Sequence, residues 1–184
     1  SSLILLVNNG FTDNSPKHRD YGFFPTKTPT STISTTTGRY SNLGIDFNNN
    51  TVTYYSPDFA LTTTDDFLIE VWVYRYATLP TYSGVFSTGI ISGSAGPTAM
   101  TDGNTITMGT LTNSGGTTVY TGTIPLNTWT HYTMLRTRST LMAYINGVWT
   151  AAVANATGCT SPSLSLGARY THPVSYTHLR AHET

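Results

Sequence analysis

Charge is scarce in this chain: only 10% of its 184 residues are charged, and nine acids balance nine bases. Without a concentrated basic patch there is nothing to neutralise a phosphate backbone, which argues against nucleic acid as a partner. The same lack leaves no polybasic handle for an anionic membrane. Cys159 is the only cysteine, so neither an intramolecular disulfide nor a cysteine-based zinc cluster can form. It reads as a small, half-buried apolar residue and not as a reactive thiol. The longest apolar run, Leu3 to Val7, is far too short to insert across a bilayer. No basic start followed by an apolar stretch and a small-residue cleavage site is visible. The chain opens inside what reads as a strand, as expected for a piece of a longer polypeptide.

What is abundant is uncharged and polar: Thr, Ser, Asn and Gly. Threonine is β-branched and suits a pleated, half-buried surface. A length of 184 residues fits one medium domain with its own core. Short strand-like runs separated by turn signals recur, and no stretch sustains a helical period. Leu3–Val7 reads as a strand covered on both faces, stopped by Asn8-Asn9-Gly10. Residues 11–37 carry Pro16, Pro25 and Pro29 and read as loop, with one short strand near Ser31–Thr35. Tyr40–Phe47 and Val52–Tyr55 read as a hairpin around Asn48-Asn49-Asn50.

The clearest strand is Phe67–Tyr76. Alternation places Phe67, Ile69, Val71 and Val73 on one face, a candidate inter-sheet core. Leu68, Glu70, Trp72, Tyr74 and Tyr76 share the other, mixed face. Further strands are expected at Gly84–Ser87, Thr105–Met108, Thr117–Tyr120, Trp129–Arg136 and Ser163–Leu166. Leu141–Ile145 and Val148–Val153 flank Asn146-Gly147, a strong signal for a two-residue hairpin turn. Gly93 to Gly96 and Gly115-Gly116 read as turns. About ten short strands and no helix leave an all-β sandwich or barrel.

Several segments resemble the laminin-G-like, concanavalin A-like jelly roll. Asp66-Phe67-Leu68-Ile69-Glu70-Val71-Trp72-Val73-Tyr74 is similar to that family's long central strand. Leu5-Leu6 with Phe11-Thr12-Asp13-Asn14-Ser15 resembles its opening strand and loop, and Gly44–Asn49 a further strand. Asn127-Thr128-Trp129-Thr130-His131, Leu141–Gly147 and Leu164-Ser165-Leu166-Gly167 follow in the family's order, so the likeness covers roughly residues 3 to 168. It implies a two-sheet antiparallel β-sandwich, with Trp72 and Trp129 in its core and Trp149, just after the hairpin turn, exposed. The family's usual final strand has no counterpart. Residues 174–184 instead look like a translated sequencing-adapter read-through, so the expected domain is 1–173, lacking its last strand and followed by a non-native tail. His178 and His182 lie inside that tail and His172 just before it, and a metal-binding role for them is set aside.

Hydrolysis of glycosides needs two carboxylates flanking the bond. Hydrolases of this architecture carry them on one strand as E-x-D-x-x-E, whereas Glu70 is here flanked on its face by Leu68 and Trp72. An enzyme is therefore not expected. No serine stands in a nucleophile elbow, and His131 reads as a structural strand residue. The resemblance implies a possible calcium ion at a loop rim, for which Asp13, Asn14, Asp65, Asp66 and Asp102 are the candidate oxygen ligands. Solvated loop residues or Asx turns are the competing reading.

The favoured expectation is a non-catalytic recognition module for glycan or a host surface. Tyrosine and tryptophan offer an apolar face and a polar tip to a sugar, and Tyr54, Tyr55, Tyr74, Tyr76, Tyr82, Tyr120 and Trp149 are the candidates. Ordinary sandwich packing competes at each tyrosine. Look-alikes of similar composition occur in bacteriophage tail fibres and metagenomic samples, which implies a virion or extracellular setting beside other domains of a longer chain. The alternative is a structural or oligomerising module without a ligand of its own. Asn49-Asn50-Thr51 and Asn155-Ala156-Thr157 match a glycosylation acceptor pattern, taken as incidental.

Overall fold

The computed structural model describes residues 24–27, 32–34, 44–46, 52–55, 65–76, 78–88, 96–112, 115–156, 163–166, 168–169, 172–173 and 177–180. Every regular element among them is a strand. In chain order these are β1 (Phe24–Lys27), β2 (Thr32–Ser34), β3 (Gly44–Asp46), β4 (Val52–Tyr55), β5 (Phe67–Arg75), β6 (Leu79–Thr88), β7 (Gly96–Gly103) and β8 (Thr105–Thr112). They continue as β9 (Gly115–Thr123), β10 (Trp129–Thr137), β11 (Thr140–Ile145), β12 (Val148–Ala154), β13 (Ser163–Leu166), β14 (Ala168–Arg169), β15 (His172–Pro173) and β16 (Thr177–Arg180).

Two seven-stranded sheets form the fold. The front sheet runs β12-β11-β10-β5-β16-β3-β2 and the back sheet β1-β4-β13-β6-β7-β8-β9, with β14 and β15 as a small separate pair. Every named strand pairing is antiparallel. This is the two-sheet sandwich that the alternating pattern requires, since each sheet must bury one apolar face.

The core is built from inward positions of both sheets. Val71, Val73, Tyr132, Met134, Leu141 and Ala143 come from the front, and Val85, Phe86, Ala99, Ile106, Met108 and Val119 from the back. Burying each large aliphatic or aromatic side chain contributes about 1.5–3 kcal/mol before the entropy of ordering is charged against it. Val85 and Phe86 are neighbours in sequence yet both buried, because the register shifts between Gly84 and Phe86. A second shift lies between Met108 and Gly109. A Cβ at Gly109 would collide with the Thr117 carbonyl on β9, so the close approach of these strands requires glycine there.

Two buried arginines tie the sheets together, one at each end of the β5–β10 ladder. Arg136 is 1% exposed. Its Nε donates to the Asp65 carbonyl at 2.8 Å, its Nη1 donates to Asn155 Oδ1 at 3.4 Å, and its Cζ lies 4.8 Å from the centre of the Phe67 ring. Asn155 Nδ2 donates in turn to Thr110 Oγ1 on β8 at 2.6 Å. At the far end Arg75 donates through Nη1 to Asn104 Oδ1 in the β7–β8 turn. A buried guanidinium demands hydrogen-bond acceptors: Arg75 finds one in the opposite sheet, and Arg136 reaches that sheet through Asn155. Asn155 is thus a buried inter-sheet link, and the acceptor pattern at Asn155-Ala156-Thr157 has no exposed amide to offer.

Several expectations are corrected. Val52–Tyr55 and Ser163–Leu166 are strands with the expected bounds, but β3 and β4 form no hairpin. They lie in different sheets, and Asn48-Asn49-Asn50 lie outside the described residues. β1 and β7 were missed because Pro25, Gly96, Pro97 and Gly103 read as breakers, and Gly115-Gly116 belongs to β9. β16, which falls within the stretch expected to be a non-native tail, lies between β5 and β3 and pairs Leu179 with Val73 and with Ile45. The expected first strand, Leu3–Val7, lies outside the described residues.

Candidate functional site

The outward face of the front sheet gathers Trp72, Tyr74, Trp129, Tyr144 and Trp149. Alternation along β5 turns Val71 and Val73 inward and leaves Glu70, Trp72 and Tyr74 outward. On β10 it turns Tyr132 and Met134 inward and leaves Trp129, His131, Thr133 and Leu135 outward. Register then assembles rows across the strands. Tyr74 stands opposite Trp129, Trp72 opposite His131, and Glu70 opposite Thr133. The third row continues through Tyr144 on β11 to Trp149 on β12. A fourth, apolar row runs Leu68, Leu135, Met142, Ala152.

Ring contacts organise these rows. Trp72 and His131 stack with centroids 4.7 Å apart and planes 25° apart. Tyr74 meets Trp129 at 5.4 Å and Tyr76 at 6.5 Å, both tilted. Glu70 Oε1 lies 3.7 Å from His131 Nε2 and accepts from Thr133 Oγ1 at 3.4 Å. The His131 and Glu70 side chains retain only about one sixth of their accessible surface, 15% and 16%. The stacked pair is therefore largely covered, with Trp72 Nε1 and His131 Nε2 both buried. A free flat face is found at Trp149, which is 59% exposed beside Val148 at 67%.

The Asn146-Gly147 turn sets that position. Asn146 has φ 53° and Gly147 φ 78°, the left-handed pair that a type I′ hairpin needs. Asn146 also clasps β10: its Oδ1 accepts from the His131 backbone N–H and its own N–H donates to the His131 carbonyl, both at 2.8 Å. The hairpin tip, with Val148 and Trp149, is thereby held against the His131 end of the aromatic rows.

The candidates named from sequence do not converge on one place. Tyr74, Tyr76 and Trp149 share this face. Tyr54 and Tyr55 lie on β4 and Tyr82 on β6, in the other sheet. Tyr120 packs, partly buried, against the core, with its ring over Gly122. Trp72 and Trp129, expected in the core, are half-buried on the outer face because they share parity with Glu70 and His131. Trp129, His131, Thr133 and Tyr144 were missed as site residues. Period-two alternation on β10 and β11 marks them, but only the register shows which residues stand side by side.

The calcium candidates are also dispersed. Asp66 caps the β10–β11 turn: Oδ1 accepts from the Arg138 backbone N–H at 2.9 Å and Oδ2 from Thr137 Oγ1 at 3.3 Å. Asp65 adjoins it, whereas Asp102 lies near the end of β7, at the other end of β5, where Arg75 reaches Asn104. That strand is nine residues long, or roughly 30 Å, so Asp102 cannot share an ion with Asp65 and Asp66. Asp13 and Asn14 lie outside the described residues. Among the described residues no group of three or more His, Cys, Asp or Glu side chains could hold a metal, and no helix is long and apolar enough to cross a membrane.

Comparison with known proteins agrees with this architecture. No curated protein sequence matches the chain. Among solved structures, the receptor-binding domain of botulinum neurotoxin type G superposes with a TM-score of 0.64 at 13% identity, covering 100% of this chain and 48% of that one. The binding domain of botulinum neurotoxin DC, solved in complex with SialylT, gives 0.64 at 11%, again covering 100% and 48%. Domain 4 of AbnA, an extracellular GH43 arabinanase from Geobacillus stearothermophilus solved with arabinotriose, gives 0.63 at 16%, covering 94% of this chain and 87% of that one. The chain spans about half the length of the neurotoxin domains that it matches, and identities this low speak to the fold alone. At the sequence level, residues 47–178 match the family model of the concanavalin A-like lectin/glucanases superfamily. With more than two thirds of its length under that match and an antiparallel two-sheet sandwich beneath it, the chain belongs to the concanavalin A-like lectin/glucanases superfamily.

Proposed function

We propose that this chain is a carbohydrate-recognition module that binds through the outer face of its front sheet. The observation that carries this reading is the gathering of Trp72, Tyr74, Tyr76, Trp129, Tyr144 and Trp149 on one face while the core occupies the other. Trp149 and Tyr144 form the stacking platform, since a sugar ring lays its apolar face on an indole and turns its hydroxyls outward. The exposed Asn146 and the partly exposed Glu70 supply hydrogen-bonding groups near it. The arabinotriose and SialylT complexes of the two structural relatives support the reading. Catalysis is not part of it: Glu70 has Leu68, Trp72, Thr133 and His131 as its neighbours on this face, and no second carboxylate faces it among the described residues. The module works outside the cell or on a virion, joined to other domains of a longer chain.

A glycan array probed with the wild-type chain and with Trp149→Ala, Tyr144→Ala and Tyr74→Ala tests this. Binding that falls at least tenfold in Trp149→Ala, with an unchanged melting temperature, is the expected result. A flat array for the wild type would overturn the reading in favour of a structural module without its own ligand.

A further inference from the structure

Among the described residues the front sheet ends on β12, with no strand on its outer side. Among the described residues β12 bonds to β11 alone. Its sequence, Val148-Trp149-Thr150-Ala151-Ala152-Val153-Ala154, contains no charge, no proline and no glycine, and five of its seven residues are exposed. Natural edge strands are normally blunted with lysine, proline, inward-pointing charge or a bulge, because a row of free N–H and C=O groups templates further pairing. Only the last of these devices is present here. The register shifts between Ala143 and Tyr144, which leaves Thr150 as an extra residue on β12. Beyond it Ala151 to Ala154 runs in regular register opposite Ala143 to Thr140.

We infer that β12 pairs with β12 of a second copy of this chain, antiparallel about a two-fold axis near Ala152. An antiparallel edge is complementary to itself, because the same donors and acceptors meet when the strand is turned about that axis. Nothing charged is brought face to face, and the chain as a whole has a formal net charge of zero, so no long-range repulsion opposes the approach. Alanine side chains at the axis let the backbones come to ladder distance. Val148, one of the large apolar side chains that the fold leaves exposed, then flanks the new pairing and gains cover from it. Regular pairing is confined to the few residues after Thr150, so the association is weak and concentration-dependent. The inference does not depend on carbohydrate binding. Where both hold, the dimer carries two platforms on one continuous sheet face, and a multivalent surface is bound by avidity.

Sedimentation velocity of the full chain over a concentration series tests this, alongside Ala152→Lys and Ala152→Cys, the latter combined with Cys159→Ser. Ala152 is exposed on the front face, so neither change should move the melting temperature. The wild type should shift from monomer to dimer as concentration rises, and Ala152→Lys, which sets two ammonium groups against each other at the axis, should stay monomeric. Paired residues across such a ladder have Cα atoms about 4.5–5.5 Å apart, within the disulfide range. The cysteine variant should therefore give a reducible covalent dimer on oxidation. A wild type that stays monomeric throughout, or a dimer that forms equally well in Ala152→Lys, would overturn the inference.

Discussion

Tyr144 on β11 stands opposite Trp149 on β12, a register fixed by the two-residue Asn146-Gly147 turn that pairs Ile145 with Val148. Beyond that pair β12 carries one extra residue, Thr150, before Ala151 meets Ala143. Ile145 packs against the core. The bulge at Thr150 lets Trp149 share the outer face with Tyr144 while Ala151 stays in register with the inward Ala143.

Deleting Thr150 should leave a continuous ladder in which Trp149 directly precedes Ala151 and still stands opposite Tyr144. Glycan binding should therefore survive the deletion while Trp149→Ala loses it, and the β-sheet circular dichroism is retained. The orientation can be followed without any ligand: with Trp72→Phe and Trp129→Phe as background, acrylamide quenching of the remaining Trp149 should stay unchanged on deletion. A sharp fall in quenching would show that the indole does not keep its place opposite Tyr144.

The link between Arg136, Asn155 and Thr110 should be a main determinant of stability. Asn155→Ala removes one acceptor from the buried guanidinium, and a hydrogen bond to a charged group contributes about 1.5–3 kcal/mol. Thr110→Val removes only a neutral acceptor, at about 1 kcal/mol. Denaturant titration of both variants checks the order. Equal losses would mean that the buried charge is satisfied without Asn155.

The strand set was readable wherever one face is apolar and the other polar. β5 and β10 to β12 came out within a residue or two of their bounds, because alternation over many residues overrides single breakers. β7 did not, since Gly96-Pro97 and Gly103 punctuate a strand whose Thr98 and Thr101 are buried without being apolar. Its partners β6 and β8 cover it on both sides, and that tertiary context has no local signature. The site was half readable for a related reason. Alternation told which residues point outward from the front sheet, including Tyr74 and Tyr76. It could not tell that β4 and Tyr120 belong to the other sheet, nor that Trp149 stands beside Tyr144.

Ending the chain at Pro173 removes β16, whose residues Thr177–Arg180 pair with Trp72–Arg75 on one side. The central strand of the front sheet would then lose a neighbour and expose backbone groups along half its length. A loss of about 1–3 kcal/mol, read as a lower melting temperature than that of the full chain, is the expected outcome. Identical melting curves would show that residues 174–184 contribute nothing to pairing, as a non-native tail would.

Tyr132 gives the fold a dependence on alkaline pH. Its phenol is 1% exposed, and burial first, then the neighbouring Tyr120, push its pKa well above the ordinary 10.0. The unfolded chain releases this proton near pH 10 while the native state keeps it, so from there upward the native state binds more protons. Stability contributed by the neutral phenol is complete below the unfolded pKa and falls as pH rises toward the folded value, at about 1.4 kcal/mol per pH unit. Tyr132→Phe removes the titrating group, and with it that part of the decline. The other tyrosines remain in both proteins, so the difference between the two curves isolates Tyr132. Melting temperatures of wild type and Tyr132→Phe compared from pH 8 to about pH 11 should diverge above pH 10, with the wild type falling faster. Curves that stay parallel across the range would show that the buried phenol is not held neutral by the fold.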